Sequence, residues 1–350
     1  MPNLHQFVPT FEPGAVGAHM LELQRLWQES GRGQSEIFAE HIRPPFDGLA
    51  HRFDHYGTRS FPAQRDDVLV YQMAIGSVVA DFVGKRREPL VLNHHNLTPV
   101  EYLETWEPAA TWGVQWGHAQ LRELAGRTSL AVAVSDYNAA QLRSVGYRKV
   151  EVAPLLLGPS TDAEPEGDVP PGGWLFVGRL AANKCQHDVV RAFALYRRVY
   201  DPTARLHLVG GAPADAYRAA LEGLVSTLGL EDAVTMTGGV SAGRLVAHYE
   251  AADVFVCLSE HEGFCAPLLE AMQHDVPIVA YAAAAVPETL ADAGLLLKSK
   301  QPAVVAAAVD RVVRDGDVRK ALVEAGRQRA EQLTSPQVRR RWLDVLAALP

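Results

Sequence analysis

Short runs of β-branched and aromatic residues alternate along the chain with longer stretches whose apolar positions recur every three or four residues. The runs Leu4–Val8, Glu36–Ala39, Asp67–Ala74, Pro89–Asn96, Leu130–Val134 and Lys149–Leu157 predict strands. Between them, Met20, Leu21, Leu23, Leu26 and Trp27 fall on one helical face, and Ser77 and Ser135 stand where a side chain caps a helix start. The segment from His41 to Ser60 predicts a solvated, partly aromatic helix. A second series of strands follows at Trp174–Arg179, Ala204–Val209, Ala233–Thr237, Asp253–Leu258, Pro277–Tyr281 and Gly294–Leu297. Helical spacing separates these too. Pro213 is suited to a first helical turn, Val286-Pro287-Glu288 reads as a turn, and Ser335-Pro336 opens the last helix.

Strands alternating with helices predict an α/β protein with Rossmann-like parallel sheets. The pattern breaks once. Residues 159–173 have no apolar periodicity and several prolines and glycines, and they read as a linker. Residues 1–158 and 174–335 are then two domains, with their sheets facing a central cleft.

Composition narrows the function. With 33 basic and 41 acidic residues the net charge is −8, which gives no footprint for nucleic acid. Cys185, Cys257 and Cys265 are odd in number, and Cys257 lies in a buried-looking strand, so a reducing compartment is expected rather than a disulfide framework. The first residues show no signal peptide and no apolar run spans a bilayer. A cytoplasmic protein is expected, or one peripheral at the inner face of the membrane.

The chemistry concentrates in Asp253–Met272. A buried strand runs into a loop, Ser259–Ala266, and Pro267 opens a helix. That arrangement aims backbone N–H groups and the positive helix end at one crevice, which suits an anion. Glu262 and Glu270 flank the helix start. Carboxylates beside bound phosphate are repelled, so these two should face hydroxyls, as on a sugar attached to a phosphate. Arg179, at the end of its strand, and Lys184, in the next loop, are cations suited to a departing diphosphate. The plain alternative is an ordinary β–α connection with solvated charges.

Glu262-Gly263-Phe264-Cys265-Ala266-Pro267-Leu268-Leu269-Glu270 resembles the E-x7-E signature of retaining GT-B glycosyltransferases, family 4. Gly178-Arg179 with Lys184 resembles that family's second signature, although Cys185 stands where a glycine is usual. The resemblance covers the second domain strongly and the first loosely. It implies a GT-B fold, in which a C-terminal helix, here 336–350, crosses back to the first domain. It also implies transfer of a sugar from a nucleotide diphosphate donor to a hydroxyl acceptor, whether glycan, lipid-linked glycan or small molecule. Retention by front-face attack follows from the same likeness. Asp315-Gly316-Asp317 fits a metal-binding Asp-x-Asp by letters but lies between two helices and not after a strand, so leaving-group stabilisation by Arg179, Lys184 and helix N-termini is expected, with no metal and no further cofactor. Glu270 would hold the ribose, and Glu262 the donor sugar beside the backbone of Gly263, Phe264, Cys265 and Ala266. Val240 would lie against the base, Gly178, Arg179 and Lys184 against the diphosphate. His95, in His95-Asn96 where the family commonly has His-Asp, would reach the sugar from the first domain. Gly14 and Gly17 match the N-terminal glycine loop weakly.

Three other readings stay open. A phosphorylase would use inorganic phosphate in the same crevice, and a silent sugar-nucleotide binder would act as a partner subunit. More remotely, His51 and His55, four apart, would ligate a metal if helical.

Overall fold

The computed structural model describes residues 2–159, 163–334 and 336–347. The chain divides into two compact units. The first comprises Met1–Val100, Ala109–Gly158 and Thr334–Pro350; the second comprises Glu101–Pro108 and Pro159–Leu333.

In the first unit the strands are β1 (Leu4–Phe11), β2 (Ile37–Ile42), β3 (His51–Arg52), β4 (Val68–Met73), β5 (Leu90–His94), β6 (Leu130–Ala133) and β7 (Val150–Val152). They form one parallel sheet in the order β3-β2-β1-β4-β5-β6-β7. Its helices are α1 (Ala15–Glu29), α2 (Val78–Gly84), α3 (Pro108–Glu123) and α4 (Asp136–Ser144). Burial on both faces explains why the central strands are mostly apolar, with Gln6, Gln72 and Asn93 among the buried polar exceptions. Leu69, Tyr71, Leu90, Leu92, Ala131 and Ala133 pack on one face with Val79 and Leu142. Val68, Val70, Val91, Leu130 and Val132 pack on the other with Leu23 and Trp27. The expected caps are in place: Ser77 Oγ accepts from Ala80 N and Ser135 Oγ from Asn138 N.

The final helix, α12 (Pro336–Ala347), belongs to this unit. Trp342 is wholly buried beside α1, and its Nε1–H donates to the Pro154 carbonyl at 2.8 Å. Arg339 adds ion pairs to Glu22 at 3.0 Å and Glu29 at 2.9 Å. The residue expected to open the helix, Ser335, lies outside the described residues.

The second unit holds β8 (Trp174–Val177), β9 (Leu206–Val209), β10 (Val234–Gly238), β11 (Val254–Cys257), β12 (Ile278–Tyr281) and β13 (Gly294–Leu297). Their parallel order is β10-β9-β8-β11-β12-β13. Helices α5 (Gln186–Val199), α6 (Asp215–Thr227), α7 (Ala242–Ala251), α8 (Ala266–Gln273), α9 (Val286–Leu290), α10 (Pro302–Arg314) and α11 (Gly316–Thr334) complete it. Strand order reverses between β8 and β11, which is where an open α/β sheet presents a crevice beyond its carboxyl ends.

Some local expectations change. His41–Ser60 is not a helix, because Pro44, Pro45, Gly48 and Gly57 interrupt the backbone. Its His51–Arg52 pairs instead with the edge of β2, and a short 3-10 turn, Phe53–His55, follows. His51 packs its ring 4.3 Å from that of Phe61 and places Nε2 3.4 Å from Glu36, so the i, i+4 arrangement needed to join it with His55 does not form. Pro213 precedes its helix, which begins at Asp215, and the Val286-Pro287-Glu288 turn is the first turn of α9.

Candidate functional site

The loops after β8 and β11 meet where strand order reverses. Glu260 N donates to the Asn183 carbonyl at 2.9 Å, and Asn183 Nδ2 donates to the His261 carbonyl at 3.1 Å. These bonds place Lys184 Nζ 2.6 Å from Glu262 Oε2, with the two side chains 18% and 9% exposed. A pair so enclosed is little screened by solvent, and removing either member would strand the other.

Gly178 takes φ +149°, and its N–H donates to the Val209 carbonyl at 2.9 Å as β8 ends. Arg179 follows on the surface, its carbonyl held by Gln186 Nε2 at 2.8 Å. Arg179 is thus an exposed guanidinium on a fixed backbone.

Downstream, Glu262, Phe264, Cys265 and Ala266 are all buried. Cys265 adopts φ 64°, ψ 64° immediately before α8, and Pro267 occupies the first turn, where its missing N–H costs nothing. The opening N–H groups of α8 have no intrahelical partner, which makes this end receptive to an anion. Thr289 Oγ1 ties the Phe264 carbonyl at 2.5 Å.

Glu270 lies farther along α8. Tyr249 Oη, from α7, donates to its Oε2 at 2.7 Å. Burial raises the Glu270 carboxyl above the ordinary range, and the Tyr249 hydrogen bond opposes that rise. Tyr249 is itself buried with its ring stacked on His274 at 5.1 Å. The two glutamates of the motif therefore have different partners, a cation for Glu262 and a phenol for Glu270. Val240 is half-buried in the loop after β10, next to Ser241, which caps α7 by accepting from Arg244 N.

In the first unit, His95 follows β5. Its Nε2 is 2.6 Å from Gln72 Oε1, which also accepts from Asn93 Nδ2 at 2.8 Å. Gln72 Nε2 donates to Gln6 Oε1 at 2.9 Å, and Gln6 Nε2 to the Met20 carbonyl at 2.8 Å. Burial, with His19 and His94 nearby, lowers the His95 pKa well below its ordinary value, so the ring is neutral. Its Nδ1 is buried without a hydrogen-bond partner. His19 is buried too, lowered to about 3 by burial, and its Nδ1 accepts from Leu156 N at 3.0 Å. Gly14 opens α1 with φ +145°. A side chain at Gly17 would place its Cβ 2.2 Å from the Glu12 carbonyl oxygen, so packing alone demands glycine there.

Several neighbours carry no local sequence signal. Lys300 pairs with Asp188 at 2.8 Å and Glu260 at 2.5 Å, bracing the loop that precedes Glu262. The segment 101–108 packs on the second unit, with the Trp106 ring 5.4 Å from that of Tyr217. Burial raises the Glu107 carboxyl in this segment, and the positive charge of Arg179 draws it back. Tyr249, Lys300 and Glu107 are invisible to motif reading because their partners are distant in sequence.

Among the described residues, two clusters have metal-ligand spacing: Cys185, His187 and Asp188, and Cys257, Glu262 and Cys265. Asp315-Gly316-Asp317, which matches a metal motif only by letters, is a helix cap: Asp315 Oδ1 accepts from Asp317 N and Val318 N.

Two Rossmann-like units with this crevice define the class: the fold is that of the GT-B glycosyltransferases. Sucrose-phosphate synthase from Thermosynechococcus elongatus matches with a TM-score of 0.77 over 100% of this chain and 99% of its own, at 19% identity. Anabaena HepE in complex with UDP and glucose matches with a TM-score of 0.77 over 100% of both chains, at 16% identity. Residues 171–329, within the second unit, match the model of the family "Glycosyl transferases group 1". A GDP-mannose-dependent alpha-(1-6)-phosphatidylinositol monomannoside mannosyltransferase of Mycobacterium tuberculosis is 35% identical over 161 residues, 43% of this chain and 41% of the relative. A D-inositol 3-phosphate glycosyltransferase of Corynebacterium urealyticum is 30% identical over 180 residues, 50% of this chain and 42% of the relative. The matches thus span less than half the length of these relatives. No described helix is long and apolar enough to cross a membrane.

Proposed function

We propose that this protein is a retaining glycosyltransferase that moves a sugar from a nucleotide diphosphate donor to a hydroxyl acceptor. The observation that carries the reading is the enclosed Lys184–Glu262 pair beside the start of α8, with Arg179 exposed at the end of β8. A cation next to a carboxylate at a helix N-terminus suits a ligand that is anionic at one end and rich in hydroxyls at the other.

In this reading the diphosphate lies against Arg179, Lys184 and the backbone of Gly178. Glu262 turns its second oxygen to the donor sugar, flanked by Gly263, Phe264, Cys265 and Ala266. Glu270, oriented by Tyr249, takes the ribose hydroxyls, and Val240 meets the base through its backbone. His95 is the candidate sugar contact of the first unit. Being neutral, it acts as a hydrogen-bond partner and not as an acid. The acceptor oxygen attacks the anomeric carbon on the face the diphosphate leaves. The bond to the phosphate oxygen breaks, and that oxygen takes the acceptor proton. No step requires a metal. The names of the sequence relatives favour mannose-type donors and inositol-containing acceptors, including lipid-linked ones.

A thermal-shift panel of UDP, GDP, ADP, TDP and their sugar conjugates, without metal, tests this. A ligand at a hundred times its dissociation constant should stabilise by about 2.7 kcal/mol. Selective stabilisation by one nucleotide, followed by acceptor-dependent release of its diphosphate, is the expected result. Silence across the panel with cleavage of a disaccharide in inorganic phosphate would establish a phosphorylase instead. Donor binding with neither hydrolysis nor transfer would leave a silent binder.

A further inference from the structure

Cys257 and Cys265 stand at the two ends of the loop that carries Glu262. Cys257 is the last residue of β11, and Cys265 is the residue before α8. Their Sγ atoms are 3.8 Å apart, at 2% and 7% residue exposure. Both sulfurs and a Glu262 carboxylate oxygen lie within 4.8 Å of one another. Cys265 also holds φ 64°, a left-handed conformation that glycine adopts without steric penalty. A strained backbone position thus carries a side chain whose one special property is a thiol, and aims it at a second thiol. The third cysteine, Cys185, faces Lys300 Nζ at 3.4 Å instead. A soft divalent ion would meet the same donor set, but the Lys184 ammonium bonded to Glu262 sets a positive charge against it.

We propose that Cys257 and Cys265 are an oxidation site: a peroxide closes them into a disulfide that disables donor binding, and a thiol reductant reopens it. The inference rests on the donor site proposed above. One thiolate attacks a peroxide oxygen, the O–O bond breaks, and water leaves a sulfenic acid behind. The second sulfur attacks the sulfenic sulfur, the S–O bond breaks, and a second water departs with the remaining thiol proton. Two electrons pass from the sulfurs to the peroxide. Closing 3.8 Å to a bond near 2.05 Å brings the two sulfurs nearly 2 Å closer, and it ties the residue before α8 covalently to the end of β11. The new crosslink therefore closes on the loop that carries Glu262 and the Phe264 and Cys265 N–H groups, and any adjustment it requires falls on the donor site. Access governs thiol susceptibility, so for this enclosed pair the oxidant is a small peroxide and not a bulky disulfide.

The full chain is treated with hydrogen peroxide, then mapped by differential alkylation and intact mass, with UDP and GDP binding measured in parallel. The expected result is loss of two hydrogens, joint protection of Cys257 and Cys265, and nucleotide affinity reduced by about tenfold or more, the scale of one lost charged hydrogen bond. Dithiothreitol should restore both readouts. Cys257→Ala should bind nucleotide as the reduced protein does and ignore peroxide, with Cys257→Ser as a second variant should the first fold poorly. Cys185→Ala should still respond. Thiols that both stay alkylatable after peroxide would overturn the proposal. So would a disulfide that leaves affinity unchanged, or a peroxide effect that persists in Cys257→Ala. If the reduced protein binds no nucleotide at all, the donor reading fails, while thiol mapping still decides whether the pair closes.

Discussion

Lys184 Nζ and Glu262 Oε2 lie 2.6 Å apart although 78 residues separate them in the chain. The pair joins the two loops that follow β8 and β11, so the geometry of each loop depends on the other. Replacing Lys184 by Met should lower turnover about 10²–10³-fold, as for a lost electrostatic stabiliser. It should also lower the thermal midpoint, because Glu262 is left buried without its cation. A double-mutant cycle with Glu262→Gln separates these effects: the midpoint should recover in the double variant while turnover should not. Recovery of turnover would remove Lys184 from the diphosphate site.

Tyr249 and Glu270 define a second test. Tyr249→Phe keeps the packing and deletes the donor to Glu270, so the buried carboxylate loses about 1–3 kcal/mol of compensation. On the proposed reading Glu270 binds ribose as a carboxylate, whereas burial raises its pKa. Nucleotide affinity should therefore fall as pH drops through that raised value, and in Tyr249→Phe the fall should begin at higher pH. The effect on folding has the opposite sign. A raised carboxyl pKa favours the folded state most fully below the unfolded value, and this contribution is lost as pH rises through the folded value. Calorimetric titration with the preferred nucleotide from pH 5 upward (about one point per half unit, on the scale of a carboxyl titration) measures the first effect. A pH-independent affinity would exclude Glu270 as the ribose contact.

His19 makes the first unit sensitive to acid. Its folded pKa is depressed from the ordinary 6.5 to about 3 by burial alone. Above the unfolded value its contribution to stability is fully present; below it, the unfolded chain binds a proton that the folded chain refuses. Stability should drop by about 1.4 kcal/mol per pH unit and per such group between the two values. His19→Gln keeps an acceptor for Leu156 N and removes the titration, so denaturant unfolding should give a shallower pH slope by about one proton. An unchanged slope would mean that His19 is solvated in the folded state.

Trp342 packs α12 against α1. Trp342→Ala removes a wholly buried side chain and its bond to the Pro154 carbonyl, and should cost about 3–5 kcal/mol. Hydrogen exchange should then rise first in α1 and in the segment around Pro154. Gly17→Ala, which forces a Cβ against the Glu12 carbonyl, should cost about 1–3 kcal/mol in the same unit.

Local pattern carries most of the architecture. Parallel strands buried on both faces are predominantly apolar, so their positions and the β–α alternation are legible in the amino-acid sequence alone. Caps such as Ser77 and Ser135 act within three residues and are equally legible. The segment His41–Ser60 departs from its helical pattern for a local reason. Pro44, Pro45 and Gly48 outweigh the aromatic residues at helical intervals, and the segment pairs with a sheet edge instead.

The motif Glu262 to Glu270 declares itself because strand, loop and helix are contiguous, and a contiguous chain fixes which end of a helix faces the crevice. What the motif does not specify is what each carboxylate touches. Lys184 beside Glu262, Tyr249 on Glu270, Lys300 between Asp188 and Glu260, Trp106 on Tyr217, and two sulfurs 3.8 Å apart across a loop are contacts made when strands and helices close on one another. Periodicity follows from local backbone geometry, whereas these pairings follow from the packing of distant segments. The residue types and their order determined the parallel sheets and the anion-receptive helix start. Only the tertiary structure decided which charges are paired, which are buried, and that Cys257 and Cys265 meet beside Glu262.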